Sequence, residues 1–185
     1  MKFWYWFVSR RDKDSVLTFM NYGFSNSHDV DLDQSDEFNR YPIQLYDYIA
    51  SHIDMGGLDV LEVGSGRGGG AEYITRSFKP KSYSGLDLNQ QAVNFCNKHY
   101  SYEQLNFTQG NALSLPFDDN SFDVLINVES SHRYPNMMKF FSEVARVLKP
   151  NGYFLYTDFT DDFLVKPIHE KLSRSELTIK KHEVI

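Results

Sequence analysis

The amino-acid sequence predicts an α/β domain with one mostly parallel sheet and helices on both of its faces. Three observations predict this class. Apolar runs of strand length recur along the chain, amphipathic segments of helical length separate them, and the first run ends in a glycine-rich turn. Because parallel strands need long crossover connections, this alternation favours a parallel sheet with right-handed crossovers. A chain of 185 residues is long enough for one domain with a sizeable core.

The first predicted strand is Asp59–Val63, and it leads directly into the glycine-rich turn Gly64–Gly70. The apolar side chains of this strand suit a position that is covered on both faces of a sheet. Glycines in the turn let the backbone bend tightly and approach a ligand without a Cβ in the way. The turn therefore predicts a ligand site at the end of the first strand.

The glycine spacing alone leaves two cofactors open. Gly64, Gly66 and Gly69 satisfy the G-x-G-x-x-G spacing of dinucleotide-binding enzymes. Glu62 precedes the first glycine, however, and a carboxylate there would repel the pyrophosphate that binds at a helix N-terminus. A ligand that carries an ammonium or a sulfonium would be attracted instead. Glu62 therefore favours S-adenosylmethionine over a dinucleotide.

The elements that follow the turn alternate regularly. A helix over 71–78 is predicted to end before Pro80, and a helix over 136–148 is predicted to stop at the Pro-Asn-Gly sequence of residues 150–152. The remaining predicted elements are strands over 82–87, 105–109, 122–128 and 153–159 and a helix over 90–99. Together they complete a five-stranded alternating pattern.

Residues 1–50 stand apart, and we expect a helical and loop cap over the active-site mouth, with the core formed by residues 51–185. Within the cap, residues 41–53 show helical periodicity and residues 29–37 resemble a solvated loop. The apolar run over 3–8 is shorter than a signal-peptide core of about 7–15 residues or a membrane span of about 20. We expect it to dock on its own domain, with loose membrane attachment as the alternative.

Composition narrows the choice of partners. The chain has 19 Lys and Arg against 25 Asp and Glu, a net charge of −6, and it shows no basic stripe that would favour nucleic acid. The single cysteine, Cys96, excludes an internal disulfide and suits the reducing cytoplasm. No Cys or His spacing predicts a zinc site, and Glu129 with Asp158 makes magnesium only a minor alternative.

Six segments between about residues 21 and 160 carry a family pattern. They are 21–24, 62–70, 83–90, 115–119, 122–129 and 146–153. In this order they resemble the class I S-adenosylmethionine-dependent methyltransferases, which have a Rossmann-like sandwich fold. The nearest group is the small-molecule one that acts on sterols, sugars and polyketides, and within it the phthiotriolone-type lipid methyltransferases.

This resemblance implies a set of residues that bind S-adenosylmethionine and the product S-adenosylhomocysteine. They are Tyr22, Glu62, Gly64, Ser65, Gly66, Asp87, Leu88, Asn111, Ala112 and Asn127. Glu62 and the glycine amides would hold the methionine part, and Asp87 would accept both ribose hydroxyls, about 20 residues beyond the glycines. Asn111 stands where the family usually has Asp, but its amide oxygen still offers an acceptor to adenine. Asn127 would place its backbone near the sulfonium.

Methyl transfer to an aliphatic hydroxyl needs alignment and a base. His132 follows the fourth strand, at the carboxyl edge where open α/β sheets bind ligands, and histidine titrates near neutral pH. Related O-methyltransferases have a histidine and an acid at the positions of His132 and Asp158. Glu129 completes the predicted catalytic set, and a solvent-exposed loop histidine is the alternative for His132.

We therefore predict methyl transfer from S-adenosylmethionine to a hydroxyl of a small apolar acceptor, such as a lipid, polyketide or terpenoid. The side chains expected to line its pocket are Tyr22, Phe24, Tyr134, Met137 and Met138. The alternatives are an NAD(P)-dependent oxidoreductase and a non-catalytic cofactor-binding remnant. The remnant is considered because related domains end in a sixth and a seventh strand. Here residues 177–185 would supply the sixth, and the missing seventh would leave an unprotected edge.

Overall fold

The computed structural model describes residues 17–25, 30–159 and 162–184. Within them, five parallel strands form one sheet in the order β3-β2-β1-β4-β5. The strands are β1 (Asp59–Val63), β2 (Ser82–Asp87), β3 (Leu105–Gln109), β4 (Phe122–Val128) and β5 (Leu148–Thr157). The predicted α/β class with a parallel sheet is confirmed. The aromatic run over residues 3–8 lies outside the described residues.

Five α-helices accompany the sheet in the described part of the chain. They are α1 (Arg40–Ala50), α2 (Gly69–Phe78), α3 (Gln90–His99), α4 (Met137–Val147) and α5 (Asp162–Ser173). Helix α1 ends three residues before the predicted position, because residues 51–53 form a turn in which the Ile53 amide donates to the Ala50 carbonyl at 3.2 Å. Among these helices none is both long enough and apolar enough to cross a membrane.

The core has two halves, one on each face of the sheet. Successive strand side chains point to opposite faces, so Val60 packs on one side and Leu61 on the other. The first half receives apolar side chains of α1, α2 and α3, such as Ile43 and Ile74. The second half is built with α4, whose Phe140 is fully buried. The predicted helices on both faces of the sheet are therefore confirmed.

The fifth strand begins earlier than predicted because it contains a bulge. Leu148 pairs with Phe122 and Tyr153 pairs with Val124, so the four residues 149–152 lie opposite the single residue Asp123 and the register is irregular there. Asn151 takes a positive φ of 65° there. A bulge accommodates extra residues without ending a strand. The Pro-Asn-Gly signal thus marks the bulge as well as the end of α4.

The predicted sixth strand is wrong for residues 177–184, which form no strand in the structure. This polar segment contacts α1 and the turn that follows it instead. The Tyr48 hydroxyl donates to the Glu183 carboxylate, and Lys181 Nζ lies 2.8 Å from His52 Nε2. Helix α5 was not predicted, because Pro167 inside it interrupts the usual helical signal.

The parallel sheet places one glycine and three acidic residues at one edge. Gly64 follows β1, Asp87 ends β2, Glu129 follows β4 and Asp158 follows β5. Because all strands run in the same direction, their carboxyl ends share this edge, which is where open α/β sheets bind ligands. The opposite edge carries the amino ends of the same strands.

Candidate active site

The glycine turn after β1 is a tight loop held against β2. The amides of Gly64 and Ser65 both donate to the Leu86 carbonyl, at 2.7 and 3.1 Å. Gly64 has a φ of 86°, and a Cβ added there would lie 2.1 Å from Ser130 Oγ. Position 64 therefore needs glycine both for its backbone conformation and for the close approach of the segment after β4.

Asp87 ties this loop to the end of β2. Its Oδ2 accepts from the Gly66 amide at 2.9 Å, and its Oδ1 accepts from the Asn89 amide at 2.8 Å. Burial raises the pKa of Asp87, although both amide bonds oppose the shift. Each carboxylate oxygen keeps a further acceptor site for a ligand. The neighbouring Leu88 is 68% exposed, so it offers an apolar surface beside the carboxylate.

Glu62 lies inside the protein rather than on the open face of the loop. Its side chain is only 1% exposed. Its Oε1 accepts from the Tyr46 hydroxyl at 2.7 Å, and its Oε2 accepts from the Tyr83 hydroxyl at 3.0 Å. Burial raises the pKa of Glu62 to about 7, and the Asp87 charge adds to the rise, because together they outweigh the two hydroxyl bonds.

Sequence reasoning missed both tyrosine partners. A carboxylate within an apolar strand is the signal that could have found them, because a buried charge requires hydrogen-bond donors. Tyr46 lies in the helix predicted over residues 41–53, and helical periodicity alone assigns its hydroxyl no partner. Tyr83 lies in β2 and pairs with Val60, which shares a face of β1 with Glu62 two residues later, so the Tyr83 hydroxyl reaches the carboxylate diagonally.

Two buried polar atoms at the carboxyl edge have no partner among the described residues: Asn127 Oδ1 and Ser65 Oγ. The amide nitrogen of Asn127 is used, since Nδ2 donates to the Val63 carbonyl at 2.7 Å and contacts the Tyr134 hydroxyl at 3.2 Å. Buried acceptors without a donor are rare in folded proteins. Both oxygens therefore keep hydrogen-bonding capacity that a polar ligand at this end of the sheet could use.

Asn111 and Ala112 follow β3 at the same edge. The Gly110 amide donates to the Asp87 carbonyl at 3.0 Å, which brings this turn beside β2. Asn111 Oδ1 accepts from the Leu113 amide at 2.9 Å, so this side chain also forms the turn. Ala112 is buried in the α4 half of the core.

His132 and Asp158 form a pair across the loops after β4 and β5. Asp158 Oδ1 lies 2.7 Å from His132 Nδ1. Asp158 Oδ2 accepts from the His132 backbone amide at 2.8 Å and from Ser131 Oγ at 2.7 Å. The carboxylate is 3% exposed and the imidazole 23%. The structure therefore holds His132 in a defined position at the site.

Arg133 fixes the tautomer of this histidine. Its Nε donates to His132 Nε2 at 3.0 Å. Since a guanidinium can only donate, Nε2 must be the acceptor, and the proton of a neutral imidazole then lies on Nδ1 beside Asp158. The outward nitrogen of His132 thus carries the lone pair that a base requires.

Residues 17–25, called the strap below, cross the glycine loop. The Thr18 carbonyl accepts from the Gly69 amide at 3.2 Å. The Met20 Sδ lies 3.6 Å from where a Cβ on Gly66 would stand. The strap therefore occupies both the first turn of α2 and the outer side of the loop.

Glu129 connects the strap to the histidine pair. Its Oε2 accepts from the Tyr22 amide at 2.8 Å. Burial raises the pKa of Glu129, and the charge of Asp158 adds to the rise. The Tyr22 ring, 81% exposed, meets the Phe159 ring edge to face at 5.2 Å, and Phe159 lies 4.4 Å from the imidazole of His132.

The predicted pocket-lining residues are only partly brought together. Tyr22 reaches the histidine pair through Phe159. Phe24 packs on Tyr48 at 4.9 Å, next to the α1 half of the core. Tyr134 and Met137 pack into the α4 half, although the Tyr134 hydroxyl bonds Ser130 Oγ at 2.8 Å. Met138 is an exposed residue of α4.

The described residues contain no group of three or more His, Cys, Asp or Glu side chains that is placed to hold a metal ion.

Comparison with known proteins identifies a family. The methyltransferase domain family matches residues 61–156, which is 96 of the 185 residues. The fatty-acid O-methyltransferase of Mycolicibacterium smegmatis is 51% identical over 156 residues, 83% of this chain and 57% of that protein. The phthiotriol/phenolphthiotriol dimycocerosates methyltransferase of Mycobacterium tuberculosis is 46% identical over 159 residues, 85% of this chain and 59% of that protein.

Solved structures give the same fold. A putative sarcosine dimethylglycine methyltransferase from Galdieria sulphuraria aligns with a TM-score of 0.63 at 22% identity, covering 83% of this chain and 61% of that one. The chain spans somewhat more than half the length of the curated relatives that it matches.

Proposed function

The chain belongs to the methyltransferase domain family, and from that premise we propose that it transfers a methyl group from S-adenosylmethionine to a hydroxyl of a small lipid-like acceptor. The observation that carries this proposal is one juxtaposition at the carboxyl edge. A carboxylate-lined glycine loop lies against the segment that presents the His132–Asp158 pair, since Ser130 contacts Gly64. One ligand site and one candidate base therefore share the same cleft edge.

The residues at the loop fit S-adenosylmethionine. Asp87 has acceptor sites left for ribose hydroxyls, and the exposed Leu88 beside it suits an adenine ring. Asn111 and Ala112 would meet the adenine edge. The unpartnered oxygens of Ser65 and Asn127 lie near the end that would hold the methionine part, together with Glu62 and the glycine amides. When bound, this cofactor supplies a methyl group on a positively charged sulfur.

The same geometry argues against a dinucleotide. A pyrophosphate uses the bare amides of a helix N-terminus. Here the Gly69 amide at the start of α2 already donates to the strap carbonyl of Thr18. The carboxyls of Glu62, Asp87 and Glu129 surround the loop, and burial raises the pKa of each. Such a site disfavours an anion and favours a cation.

His132 would act as the general base. Its Nε2 lone pair would take the proton of the acceptor hydroxyl as the acceptor oxygen takes up the methyl group, whose bond to sulfur breaks and leaves the neutral thioether. Asp158 would stabilise the imidazolium that results. Arg133 donates to Nε2 in the structure, so the acceptor hydroxyl must replace this donor. Positioning of the hydroxyl against the methyl group supplies the rest of the acceleration.

The acceptor is proposed to be a lipid alcohol. The two relatives named above act on a fatty acid and on phthiotriol-type lipids, as their names state. A carboxylate is already ionised at neutral pH and needs no base, whereas an alcohol does. The His132–Asp158 pair therefore favours the alcohol. Tyr22 and Phe159 would form the apolar surface beside it.

Two further proposals concern the setting of the enzyme. The strap and α1 would act as the cap over the active-site mouth, with Tyr22 placed beside the cofactor and the acceptor. The buried free thiol of Cys96 suits a reducing compartment such as the cytoplasm.

The proposal is tested by methyl transfer from radiolabelled S-adenosylmethionine to a panel of long-chain alcohols, with fatty acids and short polar alcohols as comparison substrates. We expect labelled ether from an apolar alcohol. Titration calorimetry with S-adenosylhomocysteine and with NAD separates the two cofactors. Tight NAD binding without a response to S-adenosylhomocysteine would overturn the proposal. Cofactor binding without transfer to any acceptor would favour the non-catalytic remnant instead.

A further inference from the structure

We propose that binding of the cofactor cation at the glycine loop releases a proton from Glu62, and that Tyr46 and Tyr83 are the positioning residues that make this release possible. The inference rests on the proposed function, because it assigns a protonation change to the same cofactor site. It adds two residues to which the sequence motifs assign no role.

The Glu62 carboxyl lies close to the glycine loop but is buried away from solvent. It stands two residues before Gly64, at the end of β1, and is 1% exposed. Its two oxygens accept from hydroxyls on different elements, Tyr46 of α1 and Tyr83 of β2. These donors carry no charge, so the carboxyl is satisfied by hydrogen bonds but not neutralised.

The titratable side chains around Glu62 include no compensating base. Those that interact with it electrostatically in the described part of the chain are Tyr46, Tyr83, Asp87, Cys96 and Tyr100. Arg67 acts on Cys96 and Tyr100, and its guanidinium stacks over the Phe95 ring at 3.8 Å. Glu129 interacts electrostatically with Tyr46, and it is also a carboxylate rather than a cation. A positive charge brought by a ligand would therefore be the missing counter-charge.

The two phenols suit both forms of the carboxyl. Towards a carboxylate both hydroxyls donate. Towards a carboxylic acid one hydroxyl oxygen accepts the acid proton, since a phenol is both donor and acceptor. The site thus keeps its hydrogen bonds when the proton leaves. A nearby cation stabilises the charged form of an acid, and this drives the proton to solvent.

Packing keeps the Tyr46 hydroxyl in this position. Its ring lies against the start of α2, and a Cβ added to Gly70 would lie 2.0 Å from that ring. Phe19 of the strap contacts the same ring edge to face, with centroids 6.0 Å apart. Tyr46 therefore touches the helix that starts at the loop, the strap above it and the carboxyl beneath it.

The burial of Glu62 raises its pKa to about 7, so the free protein holds about half a proton there at neutral pH. If the cofactor lowers this pKa, the proton count released rises from near zero at pH 8.5 towards one at pH 6. By linkage, cofactor affinity then weakens up to about tenfold per pH unit below pH 7 and levels off above it.

Calorimetric titration with S-adenosylmethionine in buffers of different ionisation enthalpy measures this count, at several pH values between 6 and 8.5. We expect about half a proton released at pH 7 and more at pH 6. Glu62→Gln should abolish the release and flatten the pH dependence of Kd. Tyr83→Phe removes a donor to the carboxylate, so it should move the pH profile upward. Tyr73→Phe is the matched control, because its hydroxyl bonds Asp47 at 2.5 Å instead, and it should leave the release unchanged.

The outcomes are distinguishable. Cofactor binding with no proton release at any of these pH values would overturn the inference and leave the proposed function intact. Release that persists in Glu62→Gln would assign the proton to another acid of this site, Asp87 or Glu129, and would also overturn the inference. No binding at all would overturn the proposed function. The count in the unaltered protein is decisive even if Glu62→Gln does not fold.

Discussion

The two ends of the same parallel sheet treat their carboxylates in opposite ways. At the amino end, Lys149 Nζ lies 3.1 Å from Asp59 Oδ2 and 2.8 Å from Asp123 Oδ2. The pKa of Asp59 is lowered to about 2, because hydrogen bonds from Ser82, Lys149 and Lys81 outweigh the effect of burial. At the carboxyl end, burial raises the pKa of Glu62, Asp87 and Glu129.

This difference separates the acids that stabilise the fold, at the amino ends of the strands, from the acids that are available to a ligand at the carboxyl ends. At the amino end, the chain's own lysines balance the negative charge of the aspartates. The carboxyl end satisfies its acids with tyrosine hydroxyls and backbone amides but leaves their negative charge largely unbalanced. Perturbed carboxyls in a cleft are typical of functional sites. The charge balance that the chain omits at this end is what a cationic cofactor would supply.

The largest expected effect comes from the histidine pair at the carboxyl end. His132→Gln removes the proposed base, so we expect kcat to fall by about 10²–10⁴. The Kd for S-adenosylhomocysteine should not change, because no cofactor role is assigned to His132. Single-turnover methyl transfer and calorimetry measure the two quantities. An unchanged kcat would remove the base from the mechanism.

The pH dependence of stability should have opposite signs at the two ends. Glu62 has a folded-state pKa of about 7 against 4.5 for the ordinary carboxyl, so its contribution is fully present below pH 4.5 and is lost as the pH rises to 7. This corresponds to about 1.4 kcal/mol per pH unit from one proton. Urea unfolding of the ligand-free protein between pH 5 and 7 measures the slope. Glu62→Gln should remove this component, and an unchanged slope would contradict the assignment.

Gly64→Ala tests whether cofactor binding requires the close approach of the glycine loop to Ser130. The new Cβ would lie 2.1 Å from Ser130 Oγ, so we expect cofactor affinity to fall about tenfold or more. Gly57→Ala is a matched control, since Gly57 also has a positive φ, 77°, but nothing within 4 Å of its Cβ. Both variants share the backbone strain. Equal cofactor affinity in the two variants would show that the clash is relieved without cost.

At the amino end the expected effect is smaller and concerns stability alone. Lys149→Met leaves Asp59 and Asp123 without their shared cation, and we expect unfolding free energy to fall by about 1–2 kcal/mol at pH 7. Because the pKa of each aspartate is lowered in the folded protein, this loss should shrink as the pH falls from 4 towards 2. Lys81→Met, at a more exposed lysine, should cost less. A change in cofactor Kd would contradict the separation of the two ends.

Much of the fold could be predicted because it is encoded locally. The bounds of β1 to β4 and of α3 follow from apolar runs, helical periodicity and turn residues that are contiguous in the chain. The placement of His132 beside Asp158 also followed, since parallel strands bring their carboxyl ends to one edge. The strand prediction for the polar segment 177–184 was wrong, because nothing local in that segment specifies contact with α1 rather than strand pairing.

The sequence by itself determined the parallel α/β class, the glycine turn and the family resemblance, all of which depend on neighbours in the chain. Only the tertiary structure decided what surrounds Glu62 and what crosses the loop. Tyr46 comes from a helix that precedes β1, Tyr83 from the adjacent strand, and the strap from the segment before α1. Their contacts depend on how separate elements pack, and packing sets which hydroxyl reaches a buried carboxyl. The sequence thus located the acids of this site. Only the packing showed that uncharged hydroxyls and amides, rather than cations, are their hydrogen-bond partners.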